Sequence, residues 1–111
     1  MSATQGATIL MGKDRWSKRA ITELFEIGDY IARDKPVAAR EWAKRIRKRA
    51  HDAADAPLLG RFVPGLDRPD VREVFLRSYR IVYRITSYGI FVLTVFEGHM
   101  CMRDIDPDEN A

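Results

Sequence analysis

At Ala56 the spacing of apolar residues changes period, and that change constrains the fold more than any other feature of the 111-residue chain. Before it, apolar residues recur three and four apart. After the next fifteen residues they alternate. A stretch with helical period cannot hold an apolar face together as a strand, and the reverse also holds. The chain therefore divides into a helical half and a sheet half.

In the helical half, Ser17 is placed to cap a helix of about five turns. Ala20, Ile21, Leu24, Phe25, Ile27, Gly28 and Ile31 share one broad face, with Glu23, Glu26 and Asp29 away from its centre. Pro36 interrupts the pattern and suits the first turn of a second helix. There Ala39, Trp42, Ala43, Ile46, Ala50, Ala53 and Ala54 form a stripe lean enough for close helix packing, and Arg40, Lys44, Arg47 and Lys48 lie opposite. The short connection predicts an antiparallel hairpin. Ahead of it, Ile9 to Arg15 can form a short strand.

Between Ala56 and Asp70, Pro57, Gly60, Pro64, Gly65 and Pro69 predict a long irregular loop, pinned by Leu58, Leu59, Phe62 and Val63. Beyond it, Val71 to Arg77 and Tyr79 to Thr86 alternate, Ser87-Tyr88-Gly89 suits a turn, and Ile90 to Phe96 is almost continuously apolar, as in a strand buried on both faces. The expected fold class is α+β: an antiparallel sheet, made of a short N-terminal strand and a three-stranded C-terminal meander, packed against a two-helix hairpin. The expected organisation is a flexible tail over 1–8, a single domain over 9–103 and an acidic tail over 104–111, poorly ordered when free. One sheet face should meet the helices and the other should be partly open, carrying arginines.

Composition narrows the function. A single cysteine, Cys101, excludes an internal disulfide and fits a reducing compartment. The N-terminus lacks the charged start and apolar run of a signal peptide, and Ile90 to Phe96 is far too short to span a membrane, so a cytoplasmic protein is expected. The net charge is only +3, but seven basic residues and one acid lie between Lys35 and Arg49, and four acids lie between Asp104 and Glu109. Such segregation suits an anionic partner. One cysteine and two distant histidines, His51 and His99, build no metal site. No phosphate-binding glycine loop or nucleophile elbow appears, so no cofactor is expected.

Six segments in order carry a resemblance: W-S-x-R-A-x-x-E-L-x-E-I-x-D-Y-I-A (Trp16 to Ala32), P-x-A-A (Pro36 to Ala39), P-L-L-G-R (Pro57 to Arg61), V-R-E (Val71 to Glu73), Y-R-I-V-Y-R (Tyr79 to Arg84) and V-F-E-G-H (Val95 to His99). Together they resemble the ParE branch of the RelE/ParE toxin superfamily. The resemblance implies a toxin of a type II toxin–antitoxin system that inhibits DNA gyrase by binding. It implies neutralisation by a ParD-like ribbon-helix-helix antitoxin in a heterotetramer or larger complex, with operator DNA met through the antitoxin and no membrane involved. Two alternatives stay open: a RelE-like ribosome-dependent mRNA endoribonuclease, or a member that has lost toxicity.

For the binding reading no catalytic residue is expected, and Arg72, Arg80, Arg84 and Arg103 are the candidates to touch the target. For the endoribonuclease, Arg72, Arg80 and Arg84 would grip phosphate, with His99 and Glu73 the leading acid–base candidates and Tyr83 a weaker one. Leu24, Ile27, Tyr30, Ile31, Trp42, Phe62 and Phe96 are the candidates for an apolar antitoxin groove. The basic face of the second helix is expected to be solvated or paired with Glu23, Glu26 and Asp29.

Overall fold

A computed structural model of the chain describes residues 13–98 and 105–109. In order it contains β1 (Asp14–Trp16), α1 (Lys18–Ala32), α2 (Pro36–Asp55), a 3-10 turn (Pro57–Leu59), β2 (Arg61–Phe62), β3 (Val71–Leu76), β4 (Tyr79–Ile85) and β5 (Ile90–Glu97). The five strands form one sheet in the order β1-β5-β4-β3-β2. The α+β class, the helix hairpin and the antiparallel β3–β4–β5 meander agree with the reading of the sequence.

Three local features differ. First, α1 has 15 residues, about four turns rather than five. Second, the region expected to be irregular contains the 3-10 turn and β2, which pairs antiparallel with β3 through Arg61–Glu73 and Phe62–Arg72. Its prolines flank this two-residue strand and leave its ladder intact. Third, β1 begins at Asp14 and runs parallel to β5, Asp14 opposite Ile90 and Trp16 opposite Val92. The earlier part of the expected strand, Ile9 to Gly12, and the expected tail over 1–8 lie outside the described residues.

Ser17 joins helix to sheet. Its hydroxyl accepts from the Ala20 amide at 3.0 Å, capping α1, and donates to the Leu93 carbonyl at 2.9 Å. Ser17→Ala removes both the cap and the bond to the Leu93 carbonyl. We expect a loss of about 1–3 kcal/mol, read by urea denaturation.

Two apolar clusters sandwich the sheet. On the helix side, Ala20, Ile46, Ala50, Ala53 and Ala54 pack on Val74, Ile81, Tyr83, Ile90, Val92 and Val95. On the far side, Val63, Val71, Val82, Phe91 and Leu93 form a second cluster, joined by Leu66, Phe96 and Ile105. The far face is therefore less open than expected, because the segment before β3 and residues 105–109 lie across part of it. Arg84 Nη1 donates to the carbonyls of Pro107 and Glu109 at 2.9 and 2.6 Å, and Arg68 pairs with Asp108 at 3.0 Å. These bonds hold a segment that the sequence led us to expect loose. Of its acids Asp108 takes part directly, through Arg68 in the segment before β3, whereas Arg84 on β4 holds backbone carbonyls.

Candidate partner-binding surface

The sheet uses only part of the broad apolar face of α1. Leu24 and Ile27 turn towards the core, whereas Ile21 and Phe25 stay exposed, Phe25 at 68%. The adjacent face of α2 is trimmed to Pro36, Ala39 and Ala43. Between the helices runs a groove of about 680 Å³, lined by these residues with Leu24, Gly28 and Ala32. The missing side chain at Gly28 keeps it open, since a Cβ there would meet nothing. Arg40 and Arg47 line the α2 wall, where neither has an ion-pair partner among the described residues. Asp29 lies on the α1 wall. Glu23, one of the acids expected to pair with these cations if they were not solvated, turns the other way. It accepts from Thr94 Oγ1 at 2.7 Å and the Val95 amide at 3.0 Å, and meets Arg19.

A second trough, about 420 Å³, lies between α1 and β5. Ile27, Tyr30 and Phe96 line it with Thr94 and Val95. The seven residues expected to share one apolar groove are thus divided. Leu24 lines the hairpin groove, and Ile27, Tyr30 and Phe96 line the trough. Ile31 and Trp42 line neither, and Trp42 instead meets the Tyr79 ring edge-on with centroids 5.8 Å apart. Phe62 stands exposed on β2. Ile21 and Phe25 fall outside that expected set, although the stripe Ile21, Phe25, Gly28, Ala32, at four-, three- and four-residue steps, marks a second half-face of α1.

The arginines are also separated. Arg80 and Arg84 lie on the far face, while Arg72 pairs with Tyr83 and so points to the helix side. Each is engaged within the chain. Arg72 donates to the carbonyls of Leu58, Gly60 and Pro69 at 2.8–3.0 Å. Arg84 holds residues 107 and 109. Arg80 Nε donates to Glu73 Oε1 at 2.9 Å, and Arg61 meets the other oxygen. Glu73 is only 1% exposed, so it is a buried carboxylate clamped between two guanidinium groups. Tyr83 is buried and donates its hydroxyl to the Pro57 carbonyl at 2.6 Å. His51 bonds Asp14 at 2.9 Å at the C-terminal end of α2. His99 and Arg103 lie outside the described residues.

Burial raises the Tyr83 hydroxyl above its ordinary value near 10, and burial with the nearby Glu97 does the same for Tyr79. Folding thus favours the protonated phenols. Their contribution to stability is complete below about pH 10 and is lost as pH rises beyond that. Denaturation midpoints should fall as pH rises above about 10, and Tyr83→Phe should flatten the decline. An unchanged slope in that variant would exclude Tyr83 as its source.

The chain is thus a two-helix hairpin on a five-stranded sheet, with an apolar groove open between the helices. The chain matches the family described as "ParE toxin of type II toxin-antitoxin system, parDE" over residues 15–101. It is 40% identical over 87 residues to "Putative toxin Y4kP" of Sinorhizobium fredii (strain NBRC 101917 / NGR234), covering 77% of this chain and 86% of that one. Its fold is similar to that in a structure described as "Chromosomal ParDE TA system from P. aeruginosa", with a TM-score of 0.65 at 20% identity, covering 79% of this chain and 97% of that one. The chain belongs to the ParE toxin family of type II toxin–antitoxin systems.

Proposed function

We propose that this toxin acts by binding DNA gyrase and that a ParD-like antitoxin silences it by laying an amphipathic helix along the hairpin groove. The groove carries the antitoxin reading. Exposed Ile21 and Phe25 on one wall and Arg40 and Arg47 on the other favour a helix with an apolar stripe flanked by acids. Family membership supports gyrase. The reading is of inhibition by binding, because Arg72, Arg80 and Arg84 are tied up in bonds within the chain rather than grouped around a vacant phosphate-sized space. On this reading the complex is a heterotetramer or larger in the cytoplasm, and operator DNA is contacted through the antitoxin.

Induction without the antitoxin should produce filamentous cells with an SOS response, and the purified toxin should stop supercoiling by gyrase. Rapid translational arrest with cleaved mRNA, and gyrase unaffected, would replace this target with the ribosome.

A further inference from the structure

Three large apolar side chains stand exposed within five residues where α2 leads into the sheet: Leu58 at 70%, Leu59 at 86% and Phe62 at 61%. None lines the hairpin groove or the α1–β5 trough. A single exposed leucine needs no explanation. Here a cluster sits on a turn that the interior of the protein holds in place.

The bonds that hold it come from two strands. Tyr83, fully buried on β4, donates its hydroxyl to the Pro57 carbonyl at 2.6 Å. Arg72 on β3 donates Nη1 to the carbonyls of Leu58 at 2.9 Å and Gly60 at 3.0 Å. Gly60 lies so close over Tyr83 that a Cβ would overlap the phenol oxygen. The Arg72 guanidinium also stacks 4.2 Å above the Phe62 ring. The carbonyls of Pro57, Leu58 and Gly60 are thus each bonded to a strand side chain, while Leu58, Leu59 and Phe62 expose their apolar side chains. Such a surface loses little conformational entropy when covered, which is the property of a binding anchor.

The surroundings indicate what covers it. Arg61, more than half exposed beside Phe62, stacks on Phe75, which is itself partly exposed. Among Arg61, Arg72, Arg80 and Glu73 there are three positive charges and one negative, and the negative one is buried. An apolar knob with a cationic border complements an apolar cleft with a border of carboxylates.

We propose that Leu58, Leu59 and Phe62 form the knob by which the toxin docks on the protein it disables, inserting into an apolar cleft edged with acids, apart from the surface that the antitoxin covers. The proposal rests on the reading of this chain as a toxin that acts by binding; it does not depend on the target being gyrase.

Leu59→Asp tests it, because so exposed a side chain contributes little to folding. Induced without antitoxin, this variant should raise surviving colonies about 100-fold over the unaltered chain, as expected for a central anchor replaced by a charge. Its thermal midpoint, and its co-purification with the ParD-like antitoxin, should match the unaltered chain. Arg61→Ala should give a smaller rise, about tenfold, and Leu59→Met should stay toxic. Full toxicity in Leu59→Asp would overturn the proposal. So would loss of co-purification, which would give the knob to the antitoxin, or a dimer of the unaltered chain that Leu59→Asp dissolves without reducing toxicity. If Leu59→Asp abolishes growth arrest while the unaltered toxin leaves purified gyrase active, the knob stands and the gyrase reading falls.

Discussion

Phe25→Glu will weaken antitoxin binding by about three orders of magnitude and leave the toxin folded. The ring is 68% exposed and outside both apolar clusters, so the free protein has little to lose. In the complex proposed here the same ring is an anchor at the centre of the groove. Truncating such an anchor costs about 2–4 kcal/mol. A carboxylate in its place adds the cost of drying a charge against an apolar helix face. Calorimetric titration with the antitoxin gives the affinity, and a thermal melt of the toxin alone gives the control. Phe25→Glu should also escape neutralisation in cells while staying toxic. Arg47→Glu should act differently: a change of charge on the wall should mainly slow association and make it less sensitive to salt. If Phe25→Glu binds as tightly as the unaltered chain, the antitoxin lies elsewhere, and the α1–β5 trough becomes the surface to test.

The second large effect concerns stability. Arg80→Ala should cost about 3–5 kcal/mol, because it leaves Glu73 buried with the half-exposed Arg61 as its remaining cation. Small domains have about 5–15 kcal/mol in total, so a much lower melting temperature, or failure to accumulate, is the expected result. Arg61→Ala should cost far less, about 1 kcal/mol, since more than half of that side chain is in water. Replacing the partners together, with Glu73→Leu and Arg80→Met, should recover most of the loss, because the penalty comes from an unpaired buried charge. A double-mutant cycle in urea reads the coupling. Equal losses for Arg80→Ala and Arg61→Ala would show that Glu73 does not depend on its buried partner.

These two sites differ in how far they could be read in advance. Glu73 lies in an alternating strand, and its position there suggested exposure or acid–base work. What buries it is the pairing of β2 on one side and β4 on the other, and β2 came from a stretch whose prolines and glycines argued against a strand. The hairpin groove was half legible. The broad apolar face of α1 was plain, but which half of it the sheet would take was not, because a helix can roll about its axis without changing its pattern. The sheet took Leu24 and Ile27, and Ile21 and Phe25 were left for a partner.

The arginines show the same division at its sharpest. Alternation put Arg80 and Arg84 on one face of β4 and Arg72 opposite Glu73 on β3, and those statements hold whatever the fold. Whether Arg72 joined the other two depended on the register between strands. A two-residue turn, Arg77-Ser78, sets Leu76 opposite Tyr79 and therefore Arg72 opposite Tyr83. One more residue in that turn would have moved Arg72 to the far face. Periodicity, capping and the proline at Pro36 are local properties, and they determined where the two helices and the three strands of the meander would form. Register, helix roll and the covering of the far face are set by contacts between residues distant in sequence, and those the tertiary structure alone decided.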